Sequence, residues 1–199
     1  TGGHQVMASP GKARAAILYS KSLLAWPVPE LTCKDMACMV WHRGNGKPNV
    51  LVVSAYMDIH LNINSIYSAA SFAADRNIPL LLCVDSNAHS TVWGCESSNP
   101  RGVLFEEFLM HSGAVVANKT PEKTWQARGH SSIIDLIITT LGLDEEIYNW
   151  QVNNTFSSDH CALIFSLGIK ETRMVRNFNN MSWDTYDSKL PQSWTHPPR

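Results

Sequence analysis

Three segments of the sequence place metal-binding or proton-transferring side chains at the end of an apolar run or inside it. In the first, Asp85 and Asn87 follow the apolar run LLLCV. Residues two apart on an extended chain point the same way, so both side chains can converge on one ligand. A carboxylate beside an amide suits a hard cation or a phosphate oxygen. An Asx turn at the end of a strand explains the same two residues without any ligand.

The other two segments contain a histidine and a buried acid. Asp159 and His160 are adjacent and precede the apolar run ALIFSL, while Asp135 interrupts the apolar run SSIIDLIITT. A histidine that transfers a proton needs an orienting partner, and a carboxylate within an apolar strand needs a cation or a histidine. We therefore expect Asp135 to pair with His160. Two alternatives remain. Asp159 and His160 are a surface pair without a function, or Asp135 forms a structural ion pair elsewhere in the core.

Tyr56 is a weaker candidate at the end of the run VLVVSAY. A phenol at this place can donate a hydrogen bond to a phosphate oxygen. Tyrosine is also common at the edge of a core simply because it is amphipathic.

The elements that must position these residues follow from the apolar pattern. Two helices are predicted over 63–76, with Asn64 and Ser65 available as caps, and over 102–112, with Gly113 as the C-terminal stop. In the second helix Leu104, with three other apolar residues, should face the core and Glu106 the solvent.

Strands are predicted over 15–19, 36–41, 50–56, 80–84, 114–117, 133–139 and 162–167. Strands this apolar are covered on both faces, which predicts a layered α/β domain over 1–169. Residues 170–199 are polar and Asn-rich, which predicts a linker or tail with one short helix near 183–190.

Composition excludes some classes of protein. The chain has 199 residues, of which 44% are hydrophobic and 17% charged, which is typical of a folded domain. No apolar run approaches the roughly 20 residues of a membrane span. Its five cysteines lack a CxxC pair, so we expect reduced thiols in an intracellular protein rather than a disulfide framework or zinc site. The net charge of −1 gives no support to DNA binding by charge alone.

The order of the motifs resembles the exonuclease–endonuclease–phosphatase superfamily, and most closely the endonuclease domain of non-LTR retrotransposons. The matching series is VLVVSAY, VDSNAHSTVWG, SSIIDLIIT and SSDHCALIF, with NPRGVLFEEFLMHSGAVVAN and KTW between the second and third motifs. The resemblance implies a two-sheet α/β sandwich of the deoxyribonuclease type. It also implies a DNA endonuclease that uses Mg²⁺ or Mn²⁺, is fused to a reverse transcriptase in a polyprotein and acts in the nucleus.

The resemblance also implies a role for each candidate residue. His160 would contact the scissile phosphate or accept a proton from the attacking water, and Asp135 would orient it. Asp85 would align or deprotonate the water, and Asn87 would hold the water or a phosphate oxygen. Metal ligands would be Asp159, Asp85 and Asn87, and Tyr56 would donate to the phosphate.

The sequence departs from the family pattern at three positions and at its start. Val84 replaces a Gly, Ser86 replaces an aromatic residue, and Asp58 stands where the family has Pro. The family's first two strands, the second of which ends in a metal-binding Glu, would precede Thr1. We therefore expect weak metal binding and little nicking by these 199 residues alone. The alternatives are an inactive remnant that acts as a binding module and a phosphoesterase for small substrates.

Overall fold

The computed structural model describes residues 3–9, 11–58, 63–154 and 158–168. The described residues form two long helices, α1 (Asn64–Asp75) and α2 (Pro100–Ser112). They also form strands β1 (His4–Ala8), β2 (Ala16–Ser20), β3 (Ala25–Pro27), β4 (Met36–Trp41), β5 (Val50–Tyr56), β6 (Leu80–Asp85), β7 (Val115–Val116), β8 (Trp125–Ala127), β9 (His130–Ser132), β10 (Asp135–Thr139), β11 (Ile147–Asn153) and β12 (Ala162–Leu167). Short 3₁₀ turns cover Pro29–Leu31, Thr91–Trp93 and Leu143–Glu146.

A six-stranded mixed sheet with the order β3-β4-β5-β6-β10-β7 is the centre of the fold. Strands β5 and β6 are parallel and are joined through α1, whereas the other neighbours are antiparallel. The remaining described strands pair as three two-stranded ribbons, β1–β2, β8–β9 and β11–β12. Because β5 and β6 are parallel, the carboxyl ends of both strands lie at one edge of the sheet.

Both faces of the sheet are covered, as the apolar composition of the strands predicts. On one face Leu51 and Leu82 pack with Phe105 and Phe108 of α2 and with the buried side of α1. On the other face the core includes Ile137 and receives Leu163, Phe165 and Leu167 of β12. The alternation of strand residues between these two cores fixes the register of the sheet.

Most predicted elements are confirmed within one or two residues. The predicted strands over 36–41, 50–56 and 162–167 coincide with β4, β5 and β12. The short strands β1, β3, β8 and β9 and the longer strand β11 were not predicted. The tail over 170–199, with its short helix, lies outside the described residues. Within the described ranges no helix combines the length and apolar character needed to cross a membrane.

Three details of the helices differ from the prediction. Helix α1 has Ile63 at its N-cap position and no side-chain cap from that residue, so Asn64 and Ser65 lie inside the first turn rather than at the cap position. In α2, Leu104 is 47% exposed rather than buried. Glu106 is half-buried and accepts a hydrogen bond from the buried Ser90 hydroxyl instead of facing solvent. The position of the preceding loop, which helical periodicity alone does not reveal, explains the burial of Glu106.

Candidate active site

Three neighbouring strands bring candidate residues to one edge of the central sheet. Tyr56, the last residue of β5, is in register with Asp85, the last residue of β6. Asp85 is in turn in register with Asp135, the first residue of β10, which runs antiparallel to β6. This edge of the sheet therefore carries a phenol and two carboxylates on consecutive strands.

His160 lies beside both carboxylates. Its Nδ1 is 3.0 and 3.1 Å from the two carboxylate oxygens of Asp135. Its Nε2 is 3.8 Å from Oδ2 of Asp85, which is too far for a direct hydrogen bond but suitable for one bridging oxygen atom. One ligand atom from each of these three residues lies within 4.8 Å of the others. The imidazole therefore has an orienting partner on one side and faces the second carboxylate on the other.

The pKa values of the three groups are shifted by their shared environment. Burial raises the pKa of Asp85, the neighbouring Asp135 charge raises it further, and the positive charge of His160 opposes both effects. Burial also raises the pKa of Asp135, against the hydrogen bond from His160. Burial lowers the pKa of His160, but the hydrogen bond to Asp135 and the nearby acidic charges outweigh it, so the net shift is upward. Negative charge at this edge is thus only partly neutralised by the protein.

The segment that carries His160 is attached to the edge through the β8–β9 ribbon. Trp125 forms an isolated bridge with His160, and the backbone N–H of Cys161 donates to the carbonyl of Thr124 (2.7 Å). The buried Thr124 hydroxyl accepts hydrogen bonds from the backbone N–H groups of Ile134 (3.1 Å) and Asp135 (3.0 Å). Thr124 therefore links the strand of Asp135 to the segment of His160 and sets their spacing.

Asn87 occupies the loop that follows β6, in a left-handed conformation with φ of 48°. Asparagine tolerates this conformation better than most residues. Its Nδ2 donates to the carbonyl of Met57 (2.9 Å), and Nη1 of Arg101 donates to the same carbonyl (3.1 Å). The Met57 N–H donates to the carbonyl of Asp85 (2.8 Å). Since the amide nitrogen is engaged, Oδ1 is the atom of Asn87 that remains for a cation or a water.

Asp159 and Tyr56 contact residues outside the cluster of Asp85, Asp135 and His160. The exposed Asp159 carboxylate accepts a hydrogen bond from the Trp125 indole (3.0 Å), and this bond lowers its pKa. Asp159 is not one of the three residues whose ligand atoms cluster within 4.8 Å. The half-buried Tyr56 lies under the guanidinium of Arg14, whose Cζ is 4.9 Å from the ring centroid. Arg14 is also paired with Asp35 and with Asp58 (2.6 Å).

The donor set fits a hard divalent cation. Asp85 offers a carboxylate whose pKa is raised by burial and by the neighbouring Asp135 charge, and oxygen is the ligand atom that Mg²⁺ and Mn²⁺ prefer. The Asp135 carboxylate and the nitrogen of His160 that faces it are engaged with each other, so they are less suited to bind the ion directly. The cation is therefore expected to contact Asp85 and the Asn87 loop, with Asp159 as a further predicted ligand.

Sequence reasoning missed the residues that hold the site together. Thr124, Trp125, Arg101 and Arg14 contact site residues or the backbone beside them, although none was singled out as a functional candidate. Thr124 and Trp125 belong to the KTW segment, and Arg101 belongs to the segment NPRGVLFEEFLMHSGAVVAN, so the resemblance covered these three residues without assigning them a role. Arg14 lies far from the motifs along the chain, so its contact with Tyr56 depends on the fold.

Comparisons with known proteins support the fold described above. A family model described as endonuclease–reverse transcriptase matches residues 50–164. No curated protein matches the chain, whereas 89 chains of solved structures do. One of these is the endonuclease domain of TRAS1, a telomere-specific non-LTR retrotransposon. It is 24% identical with a TM-score of 0.73, and the match covers 84% of this chain and 81% of that one.

Two further solved structures are more distant. The 3′ phosphatase NExo from Neisseria, bound to a product DNA hairpin, is 15% identical with a TM-score of 0.59, and the match covers 84% of this chain and 80% of that one. An AP endonuclease from Archaeoglobus fulgidus is 14% identical with a TM-score of 0.54 and the same coverage of the two chains. At these identities the similarity shows the fold, and it confirms the predicted α/β sandwich of the endonuclease/exonuclease/phosphatase type.

Proposed function

Because the chain belongs to the endonuclease–reverse transcriptase family, whose model matches residues 50–164, we propose that it hydrolyses a DNA phosphodiester with a divalent cation. The observation that carries the proposal is the position of His160 between two acidic side chains at the end of the central sheet. Such an arrangement suits hydrolysis of a phosphoester, in which negative charge must be neutralised and a proton removed from water.

His160, oriented by Asp135, acts on the phosphate. With Nδ1 held by Asp135, the imidazole presents Nε2 to the space in front of Asp85. The raised pKa of His160 favours the imidazolium form, which donates to a non-bridging phosphate oxygen and stabilises charge there. Asp135 fixes the orientation of the ring and supports its positive charge.

Asp85 acts on the attacking water. Its carboxylate aligns the water and takes its proton as the oxygen attacks phosphorus, while the bond from phosphorus to the leaving oxygen breaks. The raised pKa of Asp85 makes it a stronger base than an ordinary carboxylate. Asn87 accepts a hydrogen bond from the water through Oδ1, and Tyr56 donates to the phosphate from the neighbouring strand end.

Asp85, Asn87 and Asp159 would hold Mg²⁺ or Mn²⁺, which would supply positive charge against the phosphate and the leaving oxygen. The family description also supports a parent polyprotein in which this domain is joined to a reverse transcriptase. In that setting the reaction is a nick in the target DNA, and the protein acts in the nucleus.

The test is nicking of a supercoiled plasmid by the domain expressed from its full reading frame. We expect nicking that requires Mg²⁺ or Mn²⁺ and is lost in His160→Ala. A soluble phosphate ester offered in parallel separates an endonuclease from a small-molecule phosphoesterase. Absence of cation binding by calorimetry at millimolar concentrations, together with intact plasmid, would show a non-catalytic binding module instead.

A further inference from the structure

The candidate site has an excess of negative charge, although its proposed substrate is an anion. Asp85, Asp135 and Asp159 all act electrostatically on His160. The whole chain carries a net charge of −1 and so offers no general attraction to DNA. A substrate phosphate at this edge therefore needs a local cationic side chain in addition to any metal ion.

Arg101 is placed to supply that charge. It lies in the first turn of α2, directly after Pro100, and its half-buried guanidinium is anchored by the hydrogen bond from Nη1 to the Met57 carbonyl. The Nδ2 atom of Asn87 donates to the same carbonyl, so the two nitrogens lie within about 6 Å of each other. Arg101 is also close enough to Asp85 for its charge to lower the pKa of that carboxyl, against the larger effect of burial.

The other arginine near this edge is already neutralised. Arg14, which lies over the Tyr56 ring, is paired with both Asp35 and Asp58. By contrast, the hydrogen bond described for Arg101 goes to a neutral carbonyl, and within the part of the chain that the structure describes Arg101 forms no salt bridge. A guanidinium has five N–H donors, so one anchoring bond leaves a fork that can bind phosphate. The N-terminus of α2, a helix of 13 residues, adds partial positive charge at the same place.

We infer that Arg101 is a phosphate-binding residue of this site, which contacts a non-bridging oxygen of the substrate backbone next to Asp85 and Asn87. The inference rests on the proposed function, because it assumes a nucleic-acid substrate. The Met57 carbonyl restrains the guanidinium before the substrate arrives, so less side-chain entropy is lost on binding than for a free surface arginine.

The experiment measures binding of a short labelled duplex by fluorescence anisotropy at fixed Mg²⁺ and increasing KCl. All proteins carry His160→Ala so that the DNA stays intact. Removing one phosphate contact should reduce the slope of log affinity against log salt by about 0.9 in Arg101→Gln and weaken binding to all sequences alike. Arg101→Lys keeps the charge and should keep the slope. Arg76→Gln is the matched control, because Arg76 follows α1 and stacks on Phe72.

The outcomes separate the inference from the proposed function. If the parent protein binds DNA and Arg101→Gln keeps the parent slope, Arg101 does not contact phosphate and the inference is wrong. If the parent protein itself shows no salt-dependent binding, the proposed function and the inference both fail. A purely structural role through the Met57 carbonyl would lower the melting temperature of the glutamine and lysine variants without changing either slope. That result also overturns the inference.

Discussion

Gly102 in α2 offers a direct test of how the loop before the helix is held in place. A Cβ atom at this position would lie 1.8 Å from the carbonyl oxygen of His89 and 2.7 Å from its carbonyl carbon. Carbon and carbonyl oxygen normally approach no closer than about 3.3 Å, so Gly102→Ala forces the helix and the loop apart by roughly 1.5 Å. Neither atom belongs to a flexible side chain that could swing away.

The cost follows from the hydrogen bonds at this contact. The Asn99 side chain caps α2 by accepting from the Gly102 N–H (2.7 Å) and also accepts from the His89 N–H (3.2 Å). The Asn99 N–H donates to the His89 carbonyl (3.0 Å). The cap lies within α2 and survives the shift, whereas each of the two bonds to His89 contributes about 1 kcal/mol. Alanine regains about 1 kcal/mol through its helix propensity. The free energy of unfolding should therefore fall by about 1 kcal/mol, or by about 3 kcal/mol if the separated groups remain unsatisfied.

The assay is urea denaturation of Gly102→Ala beside the wild-type protein, with thermal melting as a second measure. For a domain of this size the predicted loss lowers the melting temperature by about 2–12 °C. Gly3→Ala is the matched control, since a Cβ there meets only the flexible Lys21 side chain, at 3.1 Å, and should change stability by less than about 0.5 kcal/mol. Equal stability of the two variants would refute the reasoning, because it would mean that the loop retreats without losing its hydrogen bonds.

Three further predictions concern the site and the core. Asp135→Asn should lower the rate of metal-dependent nicking about 10²–10⁴-fold with little change in KM, because the amide keeps the contact with the imidazole but removes the charge that supports it. Phe108→Ala removes a fully buried ring, 5.2 Å from the Tyr67 ring, and should cost about 3–5 kcal/mol in urea denaturation. Arg14 lowers the pKa of Asp35, so the ion pair contributes stability above the ordinary carboxyl pKa and loses it as the pH falls through the lowered value. Asp35→Asn should therefore be less stable than wild type at pH 7 and equally stable near pH 2, which urea midpoints measured across this range would show.

Local sequence was sufficient for much of the fold. Strands such as 50–56 and 36–41 were predicted to the residue, because an almost fully apolar run bounded by turn residues has few alternatives in a layered α/β domain. The helix α2 was recognised by its apolar spacing, and Gly113 ends it as predicted in a left-handed conformation with φ of 62°. Short ribbon strands such as β8 and β9 were missed, because three residues are too few to show a period.

The sequence by itself identified which residues could do chemistry, because Asp85, Asp135 and His160 stand beside or within apolar runs and follow the motif order of the family that the sequence resembles. Only the tertiary structure decided which atoms meet. The pairing of β6 with β10 sets the two carboxylates side by side, and the bridge from Trp125 brings His160 between them. Arg101 reaches the same place from a different element. The physical reason is that strand register and loop closure join residues distant along the chain, and local propensity contains no information about those distances.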